Sequence, residues 1–202
     1  MKKTGREFPM NIEQHRTENN PSPKHGPSAY YYAGKLYDEG AAVLPYKNNG
    51  SGLVIVKGHR QAAVECDAPG NLLEDFRKAY NCEPDGWAVL TGVRGYVVLD
   101  CEDSDTFSYA SRLFPSTRKT FGSKGGHIHL LVDAPIERRQ YFRNGQLALE
   151  VLSNWLVSLP GSIHRKTHQP YVLLNDAPLV RMAYSVFEEK IGQMCAELGL
   201  WR

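Results

Sequence analysis

Cysteine is too sparse and too scattered in this 202-residue chain to staple it. Cys66, Cys82, Cys101 and Cys195 form no C-x-x-C pair. Neither a zinc site nor a disulfide framework is expected, and reduced thiols in a cytosol-like compartment fit best. No apolar run reaches membrane-spanning length, and Met1-Lys2-Lys3 leads into polar sequence rather than the apolar core of a signal peptide. An excess of charge is also missing, since 24 Lys+Arg against 22 Asp+Glu leave a formal +2 at pH 7. So mild a balance permits a nucleic-acid partner only through a local patch. No internal repeat is present, which excludes solenoids and propellers. The expectation is a soluble cytoplasmic protein without membrane contact, its 42% hydrophobic content ample for one core.

Residues 1–26 are polar, rich in Asn, His, Pro and Lys, and read as a flexible lead-in; residues 27–202 read as one domain. Ser28 caps a helix that runs toward Gly40, and a second helix spans Asn71 to Tyr80. Apolar runs at 41–45 and 53–56 flank Asn48-Asn49-Gly50 as a hairpin. Trp87–Leu90 and Tyr96–Leu99 are strands, followed by a helix from about Asp105 to Leu113 and a strand from His127 to Val132. Leu147–Leu152 and Trp155–Leu159 flank Ser153-Asn154 like a tight hairpin. Tyr171–Leu174 is a last strand, and Ala177–Leu198 a closing amphipathic helix. Helices among mostly adjacent strands give an α+β class.

Three segments carry chemistry. Asp100 and Glu102 end the apolar run Tyr96–Leu99, and a spacing of two puts both carboxylates on one strand face. Two such acids repel unless a cation sits between them, and oxygen ligands suit Mg²⁺ or Mn²⁺. Alone, the pair also fits a solvated strand end extended by Asp103 and Asp105. The second segment, Ser123-Lys124-Gly125-Gly126-His127-Ile128-His129, is a glycine-rich strand entry. Its glycines allow backbone N–H groups near an anion, Lys124 adds charge, and His127 can donate to phosphate. His127 and His129 share a face, which also permits a metal role, and a half-exposed hairpin loop explains them equally well. Third, Glu150 precedes Pro160-Gly161-Ser162-Ile163-His164-Arg165-Lys166, a turn suited to triphosphate or template-backbone contact, or else a basic surface loop.

The ordered trio resembles the archaeo-eukaryotic primase superfamily, in particular the primase-polymerase (prim-pol) catalytic domains of plasmids, viruses and mobile elements. Val97-Val98-Leu99-Asp100-Cys101-Glu102 matches that family's apolar strand ending in Asp-x-Asp/Glu. Ser123 to His129 matches its small-x-His strand entry, with His127 at the functional position. Leu149-Glu150 and Pro160-Gly161-Ser162-Ile163-His164 match an apolar residue plus acid followed by Pro-x-Ser-x-His. The resemblance covers about residues 30–175. It implies an RRM-like palm sheet flanked by helices, beside a smaller N-terminal α/β module. It further implies that Asp100, Glu102 and Glu150 hold catalytic divalent metals and that His127 contacts the incoming nucleotide's phosphates. Ser123, Lys124, Ser162, His164 and Lys166 would complete the nucleoside triphosphate pocket.

The implied activity is DNA-templated nucleotidyl transfer, as primase or DNA polymerase, on single-stranded template and primer. A helicase or accessory helical domain is a partner of known relatives. Arg94, Arg118, Lys119, Arg138, Arg139, Arg143 and Arg165 are candidates for template backbone contact. Two other classes compete. His127-Ile128-His129 also looks like the His-hydrophobe-His strand of single-strand endonucleases, with Tyr184 as nucleophile. A catalytically silent nucleic-acid-binding module on the same fold is the second.

Overall fold

The computed structural model describes residues 28–49, 52–65, 67–122, 124–164 and 168–202. The lead-in 1–26 lies outside them, as do Ser123, Arg165 and Lys166. Helix α1 (Ala29–Asp38) begins where the Ser28 hydroxyl accepts from the Tyr31 N–H, and it buries Ala33 and Leu36. Strands β1 (Val43–Asn48) and β2 (Leu53–Val54) form the expected hairpin. Helix α2 (His59–Val64) and helix α3 (Pro69–Tyr80) follow, the second with Pro69 in its first turn, where the missing N–H costs nothing. Strand β3 (Gly86–Leu90) then returns antiparallel to β1.

The second half opens with strand β4 (Tyr96–Cys101) and helix α4 (Ser104–Leu113), whose first turn is capped by Asp103. Strands β5 (Lys119–Phe121), β6 (Gly126–Val132), β7 (Arg139–Arg143) and β8 (Gln146–Leu152) come next. Strands β9 (Leu156–Ser158), β10 (Val172–Asn175) and β11 (Val180–Met182) precede the last helix, α5 (Tyr184–Leu198).

The strands form two sheets. The smaller runs β2-β1-β3-β9; the larger runs β10-β5-β6-β4-β8-β7, with β11 added parallel to β6. Alternation on β4 explains how they meet. Val97, Leu99 and Cys101 join Phe107 and Phe114 near α4 and Phe187, Ile191 and Met194 of α5 in one core. Tyr96 and Val98 point the other way, packing with Trp87, Val89, Val157 and α1 between the sheets. Being covered on both faces, β4 reads as a continuous apolar run. A third cluster, with Leu44, Ala63 and Leu72, closes the far face of the small sheet against α2 and α3. The architecture is the α+β arrangement expected, a larger sheet flanked by helices beside a smaller α/β module.

Three expectations need correction. Leu147–Leu152 and Trp155–Leu159 are not a hairpin: β8 pairs with β4 and β7, whereas β9 crosses to pair with β3. The smaller module is therefore not wholly N-terminal. The closing helix starts at Tyr184, because Val180–Met182 spends its backbone hydrogen-bonding groups on β6. Finally, strands β5 and β7 and helix α2 have no counterpart in the sequence reading.

Gly125 is where the second motif meets the first. A Cβ there would sit 1.8 Å from the Cys101 carbonyl oxygen, so only glycine lets the start of β6 close on the end of β4. Gly125→Ala should lower the melting temperature by about 5 °C or more. Gly192→Ala, inside α5 with open space around it, should raise it by about 2 °C. Calorimetry of the two variants checks both signs; an unchanged Gly125→Ala protein would show that the approach is not tight.

Candidate active site

Strand register assembles the site. Asp100 on β4 lies directly opposite His127 on β6 and Glu150 on β8. Glu150 in turn faces Gln140 on β7, and His127 faces Thr120 on β5. Directly paired residues project to the same face, so one row crosses five strands: Thr120, His127, Asp100, Glu150, Gln140. Because Asp100 continues the face of Tyr96 and Val98, this row lies where the apolar contact between the sheets gives out. A cleft of about 670 Å³ opens there, lined by Asp100, His127, Arg60, Trp155, His164 and Tyr171 among others. Its size suits a small organic ligand.

The sequence-predicted acids converge. Asp100, Glu102 and Glu150 each offer a carboxylate oxygen within 4.8 Å of the others. An all-oxygen set of this kind fits a hard divalent cation such as Mg²⁺ or Mn²⁺. Glu150 is buried, and both hydrogen bonds to it end on Oε1, from Arg138 Nη2 at 2.6 Å and Gln140 Nε2 at 2.8 Å. One oxygen of the Glu150 carboxylate is thereby fixed by the protein.

Burial, and then the charge of Glu150, push the Asp100 carboxyl up from 3.8 to about 7. Burial alone pushes His127 down to about 4. His127 Nε2 stands 3.5 Å from Asp100 Oδ1, yet this is an ion pair only with a protonated imidazole. Both shifts oppose that state, so at neutral pH the contact joins a neutral imidazole to a carboxyl that burial and Glu150 keep partly protonated. His127 Nδ1 is buried without a hydrogen-bond partner among the described residues, the condition of a donor or acceptor awaiting a ligand.

The other predicted site residues divide. His164 is half-buried on the cleft wall, and Tyr171 stacks between the two histidines, with ring centroids 5.3 Å from His127 and 5.4 Å from His164. Ser162 is fully buried. Its hydroxyl accepts from the Trp87 N–H at 3.0 Å and donates to the Trp87 carbonyl at 3.1 Å, pinning the turn to β3 rather than facing the cleft. Lys124 is exposed in the loop before β6 and does not line the cleft. Ser123 and Lys166 fall outside the described residues.

Several cations named for template contact are held elsewhere. Arg118 is buried in a two-armed pair with Glu39, and the Lys119 ammonium donates to the Ser111 and Pro115 carbonyls at the end of α4. Arg139 pairs with Glu188 and Arg143 with Asp103. Arg94 donates to the Gly40 and Val64 carbonyls. Conversely, Gln140, Trp155, Tyr171 and Arg60 belong to the site without having been singled out by the sequence.

The endonuclease alternative is not favoured. His129 is sealed in, its Nδ1 on the Tyr96 hydroxyl at 3.0 Å and its Nε2 on Thr120 Oγ1 at 3.3 Å. Tyr184 starts α5 beside Asp133, past the far end of β6. Five residues of strand put that end about 17 Å from His127.

A family model for bifunctional DNA primase/polymerase, N-terminal (Prim-Pol), matches residues 33–185. No curated protein matches the chain. No helix among the described residues is long and apolar enough to cross a membrane.

Two predictions follow from the local geometry. Asp100 binds more protons folded than unfolded between pH 3.8 and about 7, so its contribution to stability falls as pH rises through that window. His127 acts oppositely between about 4 and 6.5, and above pH 7 only the penalty from Asp100 remains. With EDTA present, Asp100→Asn should raise the melting temperature at pH 8 by about 5 °C and much less at pH 5. Equal melting at pH 8 would contradict a strained carboxylate. Ser162→Ala strands a buried Trp87 N–H, and should cost about 1–3 kcal/mol of stability measured by denaturant unfolding.

Proposed function

This chain belongs to the bifunctional DNA primase/polymerase family, and from that premise we propose that it performs DNA-templated nucleotidyl transfer at the Asp100–Glu102–Glu150 cluster. A 3′-hydroxyl attacks the α-phosphate of an incoming nucleotide and pyrophosphate leaves. The observation that carries this reading is the cross-strand row: three carboxylates gather within 4.8 Å while His127 flanks Asp100 on its other side. Divalent cations held there would activate the hydroxyl and offset charge on the leaving oxygens.

The chain's own groups have separable tasks. Asp100 supplies a ligand from β4 and Glu102 one from the bend just past its end, and Glu150 supplies the third from the neighbouring strand, oriented through Oε1. His127 enters as a neutral imidazole, able to donate one hydrogen bond to a phosphate oxygen without carrying a charge. His164, braced on the same Tyr171 ring, extends that wall of the cleft toward the distal phosphates. Ser162 acts as a positioning residue, because it fixes the turn that presents His164. Lys124, Ser123 and Lys166 remain candidates for phosphate contact on their positions in the sequence motifs alone.

A primed single-stranded template with labelled nucleotides and Mg²⁺ or Mn²⁺ tests the assignment. Alanine at Asp100, Glu102 or Glu150 should each lower incorporation by at least about 100-fold. His127→Ala and His164→Ala should raise nucleotide KM as well as lower rate. Full activity in Asp100→Ala would reject the site. Metal-independent DNA binding with no incorporation by the wild-type protein would instead favour the silent binding module.

A further inference from the structure

Trp155 is 50% exposed, between β8 and β9. Its backbone is nonetheless fixed at both ends. The Trp155 N–H donates to Thr91 Oγ1 at 3.0 Å, and the Thr91 hydroxyl and N–H both donate to the Trp155 carbonyl, at 3.1 and 2.9 Å. Asn154 before it adopts φ +58°, and Arg60 of α2 donates to the Asn154 carbonyl at 2.8 Å. The backbone that carries the ring is thus held, and the indole is left half-open to solvent. It borders the cleft together with Asp100 and His127.

The ring also carries a cation. The Arg138 guanidinium carbon sits 4.2 Å from the indole centroid, while Nη2 of the same group holds Glu150 Oε1 at 2.6 Å. Arg138 thus ties the position of the indole to that of the acid. An exposed indole on a held backbone, with a guanidinium over its ring, has the chemistry of a base-stacking platform, since every nucleobase offers a π-face. Its location agrees. His127 and His164 lie on the β6 side of Asp100, whereas Trp155 follows β8 on the other side. Two strand spacings, about 10 Å, separate β6 from β8, leaving room for phosphates at one end of the cleft and a base at the other.

We propose that Trp155 is a stacking site for a nucleobase at the rim of the cleft, held in place through Arg138 and the Thr91 turn. What the base is doing there rests on the nucleotidyl-transfer reading; the site itself does not. Two sources offer the same chemistry, a base of a single strand and the base of an incoming nucleotide.

Ligand binding to the full chain separates them, with Ca²⁺ in place of Mg²⁺ to prevent turnover. An oligothymidylate and a deoxynucleoside triphosphate are titrated separately, following indole fluorescence for quenching and titration calorimetry for the affinity of each protein. Trp87 is 2% exposed, and Trp201 stacks on Phe142 away from the cleft lining. At least one ligand should quench the wild type, and that quenching should vanish in Trp155→Phe while affinity stays within about threefold, because a phenyl ring still stacks. Trp155→Leu should weaken binding of the same ligand by about tenfold or more. The ligand affected identifies the source of the base. The proposal is overturned if neither ligand quenches the wild type, or if a folded Trp155→Leu protein binds both within twofold of it. The polymerase reading is scored separately by incorporation: a protein that never incorporates nucleotide but loses affinity with Trp155→Leu sinks only that reading, and an active protein indifferent to Trp155 sinks only this one.

Discussion

Everything in the site depends on where β4 stops being apolar. The strand buries Tyr96 and Val98 between the two sheets, and the next residue on that face is Asp100. An acid at that register cannot sit in apolar contact, so the sheets must part, and the parting is the cleft. Its neighbours are fixed at the same stroke. Antiparallel pairing brings His127 and Glu150 beside it from strands remote in sequence, with no freedom to slip: a one-residue shift would turn the apolar residues of β6 and β8 away from their cores. The hydrophobic packing of α4 and α5 against the other face thus sets the chemistry of this one.

The legible part of the sequence was the part governed by alternation. Asp100 and His127 could be placed on strand faces because a period of two decides which way a side chain points; Glu102, expected on the same strand, sits in the bend just past its end. What required a partner to interpret was not legible. Ser153-Asn154 looks like a hairpin turn, but Thr91 captures the backbone of Asn154 and Trp155 and sends β9 to the other sheet. Val180–Met182 continues an apolar pattern into α5, yet its pairing with β6 is a tertiary fact. One missed element did leave a signal. Asn144 and Gly145 both take positive φ, the combination that an Asn-Gly hairpin turn requires, and they join β7 to β8. Reading that dipeptide would have found β7, but not its register: a bulge between Tyr141 and Phe142 shifts the pairing by one residue and so sets Gln140, rather than Arg139, opposite Glu150.

Motif residues also turn out to work through the backbone. Gly125 resembles a phosphate-cradling glycine in sequence, but the structure gives it a steric task, admitting the Cys101 carbonyl. Ser162 belongs to the Pro-x-Ser-x-His turn, and its hydroxyl is consumed by Trp87. Gly86 is the complement of that contact, since a Cβ there would lie 2.7 Å from the Ser162 side chain. A short pattern can therefore mark a site reliably while most of its members only shape the frame in which one or two reactive groups are presented.

The electrostatics of the cleft set an order on the proposed reaction. Arg118, Arg139 and Arg143 are paired with Glu39, Glu188 and Asp103, and both buried histidines of β6 are driven toward the neutral form. The acids meanwhile gather at the floor. Beside the three acids a triphosphate would meet carboxyl groups and uncharged imidazoles, with Arg60 on the cleft wall and Arg138 at its rim, so positive charge at Asp100, Glu102 and Glu150 would add to the attraction. Cation binding in turn must displace the proton from Asp100, whose carboxyl titrates near 7, and the gain in Coulomb energy is largest where water is excluded. On the proposed function, nucleotide and divalent ion would be mutually dependent ligands, each neutralising the charge that would repel or strand the other. Such a cleft needs no strongly basic surface, which is how a chain of net charge +2 is compatible with polyphosphate chemistry.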